Sequence, residues 1–259
     1  MKIVLIGSGN IATHLGKAFM HTGHQIVQVY SKTLANAQAL AKLLNSTGTD
    51  SLEAVVDHAD LYLLAVSDAV IPEVAAQLPQ ELEGLVVHAS GATHLDVLAR
   101  FRHAGVIYPI QTFSKSVDLE LIETPFAVEA REPADTSTLI TFMSAISNRV
   151  FEGSSEQRMA MHLAAVFANN FSNALFQVAY DLLTQHDLPF DLIHPIILQT
   201  AEKVQNNEPR AVQTGPASRN DQNTINKHLQ FISSNPDWQS IYQKISDLIV
   251  KRKENNSEN

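Results

Sequence analysis

An apolar strand that runs straight into a glycine turn and then a helix constrains this chain more than any other feature. Ile3-Val4-Leu5-Ile6 is followed at once by Gly7-Ser8-Gly9-Asn10-Ile11-Ala12, a G-x-G-x-x-A loop, and by helical spacing over residues 10–21. Gly7 permits a tight turn, Gly9 lets a phosphate approach the backbone, and Ala12 allows close packing of helix on strand. Free N–H groups and the dipole at a helix start favour an anion. The loop therefore predicts a cradle for the pyrophosphate of a dinucleotide, with Ser8, Asn10 and Ile11 beside it. A glycine turn that binds nothing is the alternative, and the pattern that follows argues against it.

That pattern alternates short apolar runs with helical stretches. Strands are expected at residues 26–30, 61–66, 85–88, 106–108, 126–129 and 149–151, and helices at 34–44, 71–77, 95–102 and 136–146. Near-continuous apolar strands separated by helices predict parallel β-α-β units and a sheet covered on both faces. After Glu152-Gly153 only helical periodicity remains. Helices are expected over 155–186, over 190–205 with a kink at Pro195, over 223–232 and over 237–251. Asn235 is placed to cap the last of these, with Pro236 at its first helical position. The fold class is α/β: a doubly wound parallel sheet over residues 1–152 for the dinucleotide, then an all-α domain over 153–259 for substrate and dimerisation.

Strand ends carry the next signals. An acidic residue after the second strand would hold a ribose 2′-hydroxyl, yet this chain has Tyr30-Ser31-Lys32. A hydroxyl and an ammonium suit a 2′-phosphate, which predicts NADP(H) over NAD(H). Lys32 as a solvated helix-start residue is the plainer alternative. Ala65-Val66-Ser67 and Ser90-Gly91 turn polar at the carboxyl ends of apolar strands, where open α/β sheets bind ligands. Ser67 and Ser90 are expected at the ribose or nicotinamide, or else serve as ordinary helix caps.

The helix after residue 153 carries a polar stripe. On a wheel of ~100° per residue with His162 at zero, Asn169 falls at about −20°, Asn173 at about 20°, Gln177 at about 60° and Asn170 at about 80°. Such groups need partners, because each unsatisfied one costs ~1–3 kcal/mol. Either the stripe faces solvent or another subunit, or it faces the cofactor crevice. In the second case His162 is the best general acid or base of the chain, with Asn169 and Asn170 beside it. Gln111, Asn173, Thr214 and Arg219 are further candidates for substrate contact, Arg219 as a clamp for a carboxylate or phosphate. Arg219 pairing with Asp221, or capping the next helix, is the plainer reading.

Composition removes other classes. The net charge of −9, from 27 acidic and 18 basic residues, argues against a nucleic-acid partner. The absence of cysteine excludes thiolate catalysis and Cys-type metal sites, and no histidine spacing predicts a metal. The apolar stretch 159–183 is interrupted by Asn169, Asn170, Ser172, Asn173 and Gln177, so it reads as a buried helix and no membrane partner is expected. The protein is expected to be cytoplasmic.

The glycine loop, Ala65-Val66-Ser67-Asp68 and the long helix together resemble the superfamily of 6-phosphogluconate dehydrogenase, β-hydroxyacid dehydrogenases and pyrroline-5-carboxylate reductase. His88-Ala89-Ser90-Gly91, Tyr108-Pro109-Ile110-Gln111-Thr112-Phe113, His162-Leu163-Ala164-Ala165 with Asn169-Asn170-Phe171, and Thr214 to Arg219 narrow the likeness. Over nearly its full length the chain resembles Rossmann-like, NADP-oxidoreductase-type proteins with an uncharacterised C-terminal domain. That resemblance implies an NADP-dependent oxidoreductase with a helical domain like that of 6-phosphogluconate dehydrogenase. The expected reaction moves a hydride to or from a small carbonyl or imine compound held between the domains. One departure stands out. The β-hydroxyacid dehydrogenases place a catalytic lysine where this chain has Val166. The lysine mechanism does not transfer, and a catalytically silent NADP-binding sensor is the alternative. Deazaflavin-linked chemistry shares the same loop. A homodimer built on the helical half is expected, because Phe167, Phe171, Leu175 and Phe176 lie away from the polar stripe and need covering.

Overall fold

The computed structural model describes residues 1–114, 117 and 119–254. They divide into two compact units, Met1–Asn169 and Asn170–Asn259. In the first unit eight strands form one sheet: β1 Lys2–Ile6, β2 Gln25–Tyr30, β3 Thr47–Thr49, β4 Leu61–Leu64, β5 Leu85–His88, β6 Ala104–Pro109, β7 Phe126–Ala130 and β8 Val150–Glu152. Their spatial order is β3-β2-β1-β4-β5-β6-β7-β8. The pairs from β3 through β6 are parallel, β7 runs antiparallel to β6, and β8 is parallel to β7.

Side chains alternate across this sheet, and both faces are apolar. Ile3, Leu5, Leu61, Leu63 and Val87 join one core, which includes α1 (Asn10–His21), α2 (Leu34–Leu43) and α4 (Pro133–Ser144). Val4, Ile6, Tyr62, Leu64 and Val86 join the other, with α3 (Ile71–Gln77). A strand buried on both faces has no polar phase, which is why the sequence shows continuous apolar runs there. This is the doubly wound, Rossmann-like architecture expected. Because strand order reverses between β1 and β4, the carboxyl ends of β1, β4, β5 and β6 form one edge, the place where ligands enter such sheets.

The chain leaves the sheet through α5 (Ser155–Ala165). Ser154 caps it, accepting from Gln157 N while the Gln157 side chain accepts from Ser154 N, a complete capping box. Residues Val166–Phe171 wind as a π-helix, and α6 (Ser172–Thr184) continues in α form. The second unit adds α7 (His194–Asn206), α8 (Gln222–Phe231) and α9 (Pro236–Glu254). Asn235 Oδ1 accepts from Trp238 N, so the expected cap of α9 is present.

Three expectations need correction. Pro195 kinks nothing: residues Phe190–Ile193 form a 3-10 turn and Pro195 occupies the first turn of α7, where its missing N–H has no helical partner to lose. The helix expected over 95–102 is only a 3-10 turn, Leu95–Leu98. The π turn also breaks the ideal wheel. It fits an extra residue into one turn, so the sector that groups Asn173 and Gln177 with His162 does not survive residues 166–171.

Candidate functional site

Glycine is required by geometry in the first turn. Gly7 has φ +125°, and a Cβ there would lie 2.3 Å from Ala65 O. The loop thus rests directly on the end of β4, and no side chain fits between them. Gly9 differs: a Cβ on it would meet nothing within 4 Å. It is the N-cap of α1 and no side chain caps that turn. The first amides of α1 therefore keep their donors for a ligand, in open space, as a pyrophosphate cradle demands. Ala12 is fully buried. Asn10 Nδ2 donates to Phe113 O at 2.6 Å, which ties the start of α1 to the loop after β6. Ser8 Oγ donates to Ser31 Oγ at 2.8 Å, which ties the glycine loop to the end of β2. Lys32 beside it is exposed, and Tyr30 is half-buried, its phenol raised above the ordinary value chiefly by burial. These residues fit an adenosine dinucleotide, with hydroxyls and an exposed cation at the end of β2.

A second cluster stands further along the same edge. Gly91 follows β5, and a Cβ on it would meet the Tyr108 ring at 2.6 Å and His162 Cβ at 2.9 Å. Tyr108 Oη and His162 Nδ1 are 3.3 Å apart, their rings edge-on with centroids 6.1 Å apart. Burial first, and then the charge of Asp68, raise the Tyr108 phenol above its ordinary value; Arg158 acts in the opposite sense. His162 is half-buried.

What brings His162 there is Arg158, one helical turn earlier. Its side chain is fully buried and ion-paired with Glu129 of β7. Nη2 donates to Thr93 O at 2.6 Å and to Ser155 Oγ at 3.2 Å, and Nε donates to Ser90 O at 3.3 Å. Ser155 Oγ in turn donates to Glu129 Oε2 and accepts from Leu95 N. A buried guanidinium must be satisfied this way or it would not stay charged. These bonds lock the start of α5 onto the loop after β5. Sequence reading missed Arg158, which falls at about −40° on the wheel, just outside the polar sector that begins near −20°.

Two family models match. One, described as NADP oxidoreductase coenzyme F420-dependent, covers residues 2–89; the other, a domain of unknown function (DUF2520), covers residues 124–249. No curated protein matches the chain. Among solved structures, a candidate NADP oxidoreductase from Bacteroides fragilis is 40% identical over 96% of this chain and 98% of its own, with a TM-score of 0.87. The chain belongs to this NADP oxidoreductase family. More distant structures share the fold. A 1-pyrroline-5-carboxylate reductase from Streptococcus pyogenes is 15% identical, over 97% of this chain and 98% of its own, at a TM-score of 0.64. A reductive aminase from Aspergillus terreus, in complex with NADPH and ethyl levulinate, is 14% identical over 96% and 92% of the two chains, at 0.73.

The remaining candidate residues fall into distinct settings. Ala65 is buried against Gly7, Val66 is half-buried, and Ser67 is exposed with no side-chain cap bond. Ser90 Oγ is already engaged, accepting from Ala92 N and Thr93 N and donating to Thr93 Oγ1, so its hydroxyl shapes the turn. Gln111 Oε1 accepts from the neighbouring Thr112 N at 2.8 Å. Asn169 and Asn170 are exposed on the π turn, and π turns recur at functional sites. Asn173 and Arg219 are exposed. Asp221 caps α8 through Thr224 N, so that task does not fall to Arg219. Thr214 lines an apolar cavity of about 440 Å³ within the second unit, with Leu175, Trp238 and Tyr242. Among the described residues no helix is long and apolar enough to cross a membrane.

Proposed function

We propose that the protein is an NADP(H)-dependent reductase that moves a hydride between the nicotinamide and a small carbonyl or imine compound, with His162 at the reacting centre. The observation that carries this is the meeting of His162, Tyr108 and Gly91 at the carboxyl edge that also holds the glycine loop. A titratable ring supported by a buried ion pair is what general acid–base chemistry needs beside a hydride acceptor. Val166 cannot do the work of the β-hydroxyacid dehydrogenase lysine, so the proton must travel through other groups, and His162 is placed to take part. The solved reductive aminase with NADPH and ethyl levulinate favours carbonyl and imine compounds as the first panel to try. In this reading residues 1–152 hold the cofactor, residues 153–259 serve substrate binding and dimerisation, and Asn169 and Asn170 contact the substrate.

The test is NADPH consumption at 340 nm across that panel, with His162→Ala as control. Turnover should fall ~10²–10⁴-fold in the variant while NADPH affinity holds. NADPH binding without turnover on any compound would favour the sensor reading, which Val166 supports.

A homodimer belongs to the same proposal. Among the described residues of the second unit, the buried apolar side chains are Ala217 and Ile225, while Ile196, Leu198 and Phe231 each leave more than 60% of their surface exposed. A unit with so little core of its own needs an apolar partner, and a second copy supplies one. A monomer in light scattering at micromolar concentration would contradict it.

A further inference from the structure

We propose that Tyr108 is a second catalytic residue of this reduction, its hydroxyl protonating the substrate's heteroatom while His162 Nδ1–H restores the proton; this rests on the reductase reading above. The geometry leaves the phenol few other roles. Its ring is held by β6, which pairs with β5 on one side and β7 on the other. Gly91 admits the ring only because it lacks a Cβ, and Arg158 fixes the helix that presents His162. Tyr108 is 8% exposed, so its hydroxyl must find partners, and His162 Nδ1 at 3.3 Å is the neighbour within reach. A hydroxyl both donates and accepts. If it accepts from Nδ1–H, its own proton is free to point along the edge where the nicotinamide belongs. Burial and Asp68 raise the phenol, so it rests protonated, and an Nδ1–H donated to its oxygen would ease the loss of that proton. The separation is long for a mature hydrogen bond, as is common for catalytic pairs before substrate arrives.

The balance is simple. Bound NADPH would supply the hydride that reaches the carbon of C=N or C=O. The π electron pair of that bond moves to nitrogen or oxygen, which takes the Tyr108 proton. Nε2 of the half-exposed ring takes a proton from water as Tyr108 Oη takes the one on His162 Nδ1, and exchange of the ring proton with solvent returns His162 to its Nδ1–H form. One solvent proton is consumed per turnover.

The decisive readout is the tautomer of neutral His162, read by nitrogen NMR on histidine-labelled protein and assigned with His162→Gln. The expected form in the wild type is Nδ1–H, and Tyr108→Phe should convert it to Nε2–H. A wild type already in the Nε2–H form would overturn the proposal, because Tyr108 would then be donating to His162 and not to substrate. Should Tyr108→Phe fail to fold, the wild-type tautomer alone decides. With NADPH and 2-methyl-1-pyrroline among the imine panel, Tyr108→Phe should lower kcat ~10²-fold and leave the KM for NADPH within twofold. Full activity in Tyr108→Phe overturns the role of Tyr108 while the reductase reading stands. No turnover by the wild type on any compound overturns both.

Discussion

Removing the carboxylate of Glu129 should unlock the candidate site before it touches any ligand. Arg158 is fully buried, and Glu129 is its counter-charge, with a side chain 19% exposed. Taking one partner from a buried pair leaves an uncompensated charge and costs about 3–5 kcal/mol. Thr93 O, Ser90 O and Ser155 Oγ stay in place around the guanidinium and soften the loss, so about 3 kcal/mol is expected for Glu129→Ala. At ~2–4 °C per kcal/mol for a chain of this size, the melting temperature should fall by about 6–12 °C. Urea denaturation followed by far-UV circular dichroism measures the first figure and a thermal scan the second. The double variant Glu129→Met with Arg158→Met should recover part of the loss, since an apolar pair carries no stranded charge. A Glu129→Ala cost under about 1 kcal/mol, or strict additivity in the double variant, would refute the role given to this pair.

The glycine loop supplies a second prediction: Gly7→Ala, with its Cβ 2.3 Å from Ala65 O at φ +125°, should cost at least ~2 kcal/mol and weaken NADPH binding tenfold or more. Calorimetric titration checks the affinity. Wild-type protein should bind NADPH more tightly than NADH, and Lys32→Glu should abolish or reverse that order; equal affinity in the wild type would contradict the roles of Ser31 and Lys32. Acid should destabilise the protein through His88. Burial pushes this histidine from 6.5 down to about 3. Between those values the unfolded chain binds a proton the folded one does not, so stability is full above pH 6.5 and is lost as pH falls toward 3. Urea midpoints at pH 7 and 4.5 should converge more in His88→Gln than in the wild type.

Much of the architecture was legible because it is local. The glycine loop, the apolar strands and the cap of α9 each depend on a few adjacent residues, and each is found where the sequence puts it. The antiparallel turn of β7 was not legible, because strand direction is set by the connection and the neighbour, not by the composition of Phe126–Ala130. Thr47–Thr49 is too short and too polar to announce itself as a strand. The stripe on the long helix was read with one period throughout. The π turn changes that period, and nothing in Val166–Phe171 marks it. Arg158 was passed over for another reason. A charged side chain is usually solvated, and only the fold reveals that Glu129, Thr93 and Ser90 surround it. The Tyr108 contact with His162 joins residues 54 positions apart, which no periodicity can show.

The central claim is that a hydride leaves the nicotinamide at this carboxyl edge. It is tested most directly by incubating the protein with NADPH deuterated at C4, both faces in turn, and the carbonyl and imine panel, followed by mass spectrometry of the products. One labelled face should deliver deuterium to carbon, giving a product one mass unit heavier, and His162→Ala should slow its appearance ~10²–10⁴-fold. Tight NADPH binding with no deuterium transferred from either face to any compound would contradict it.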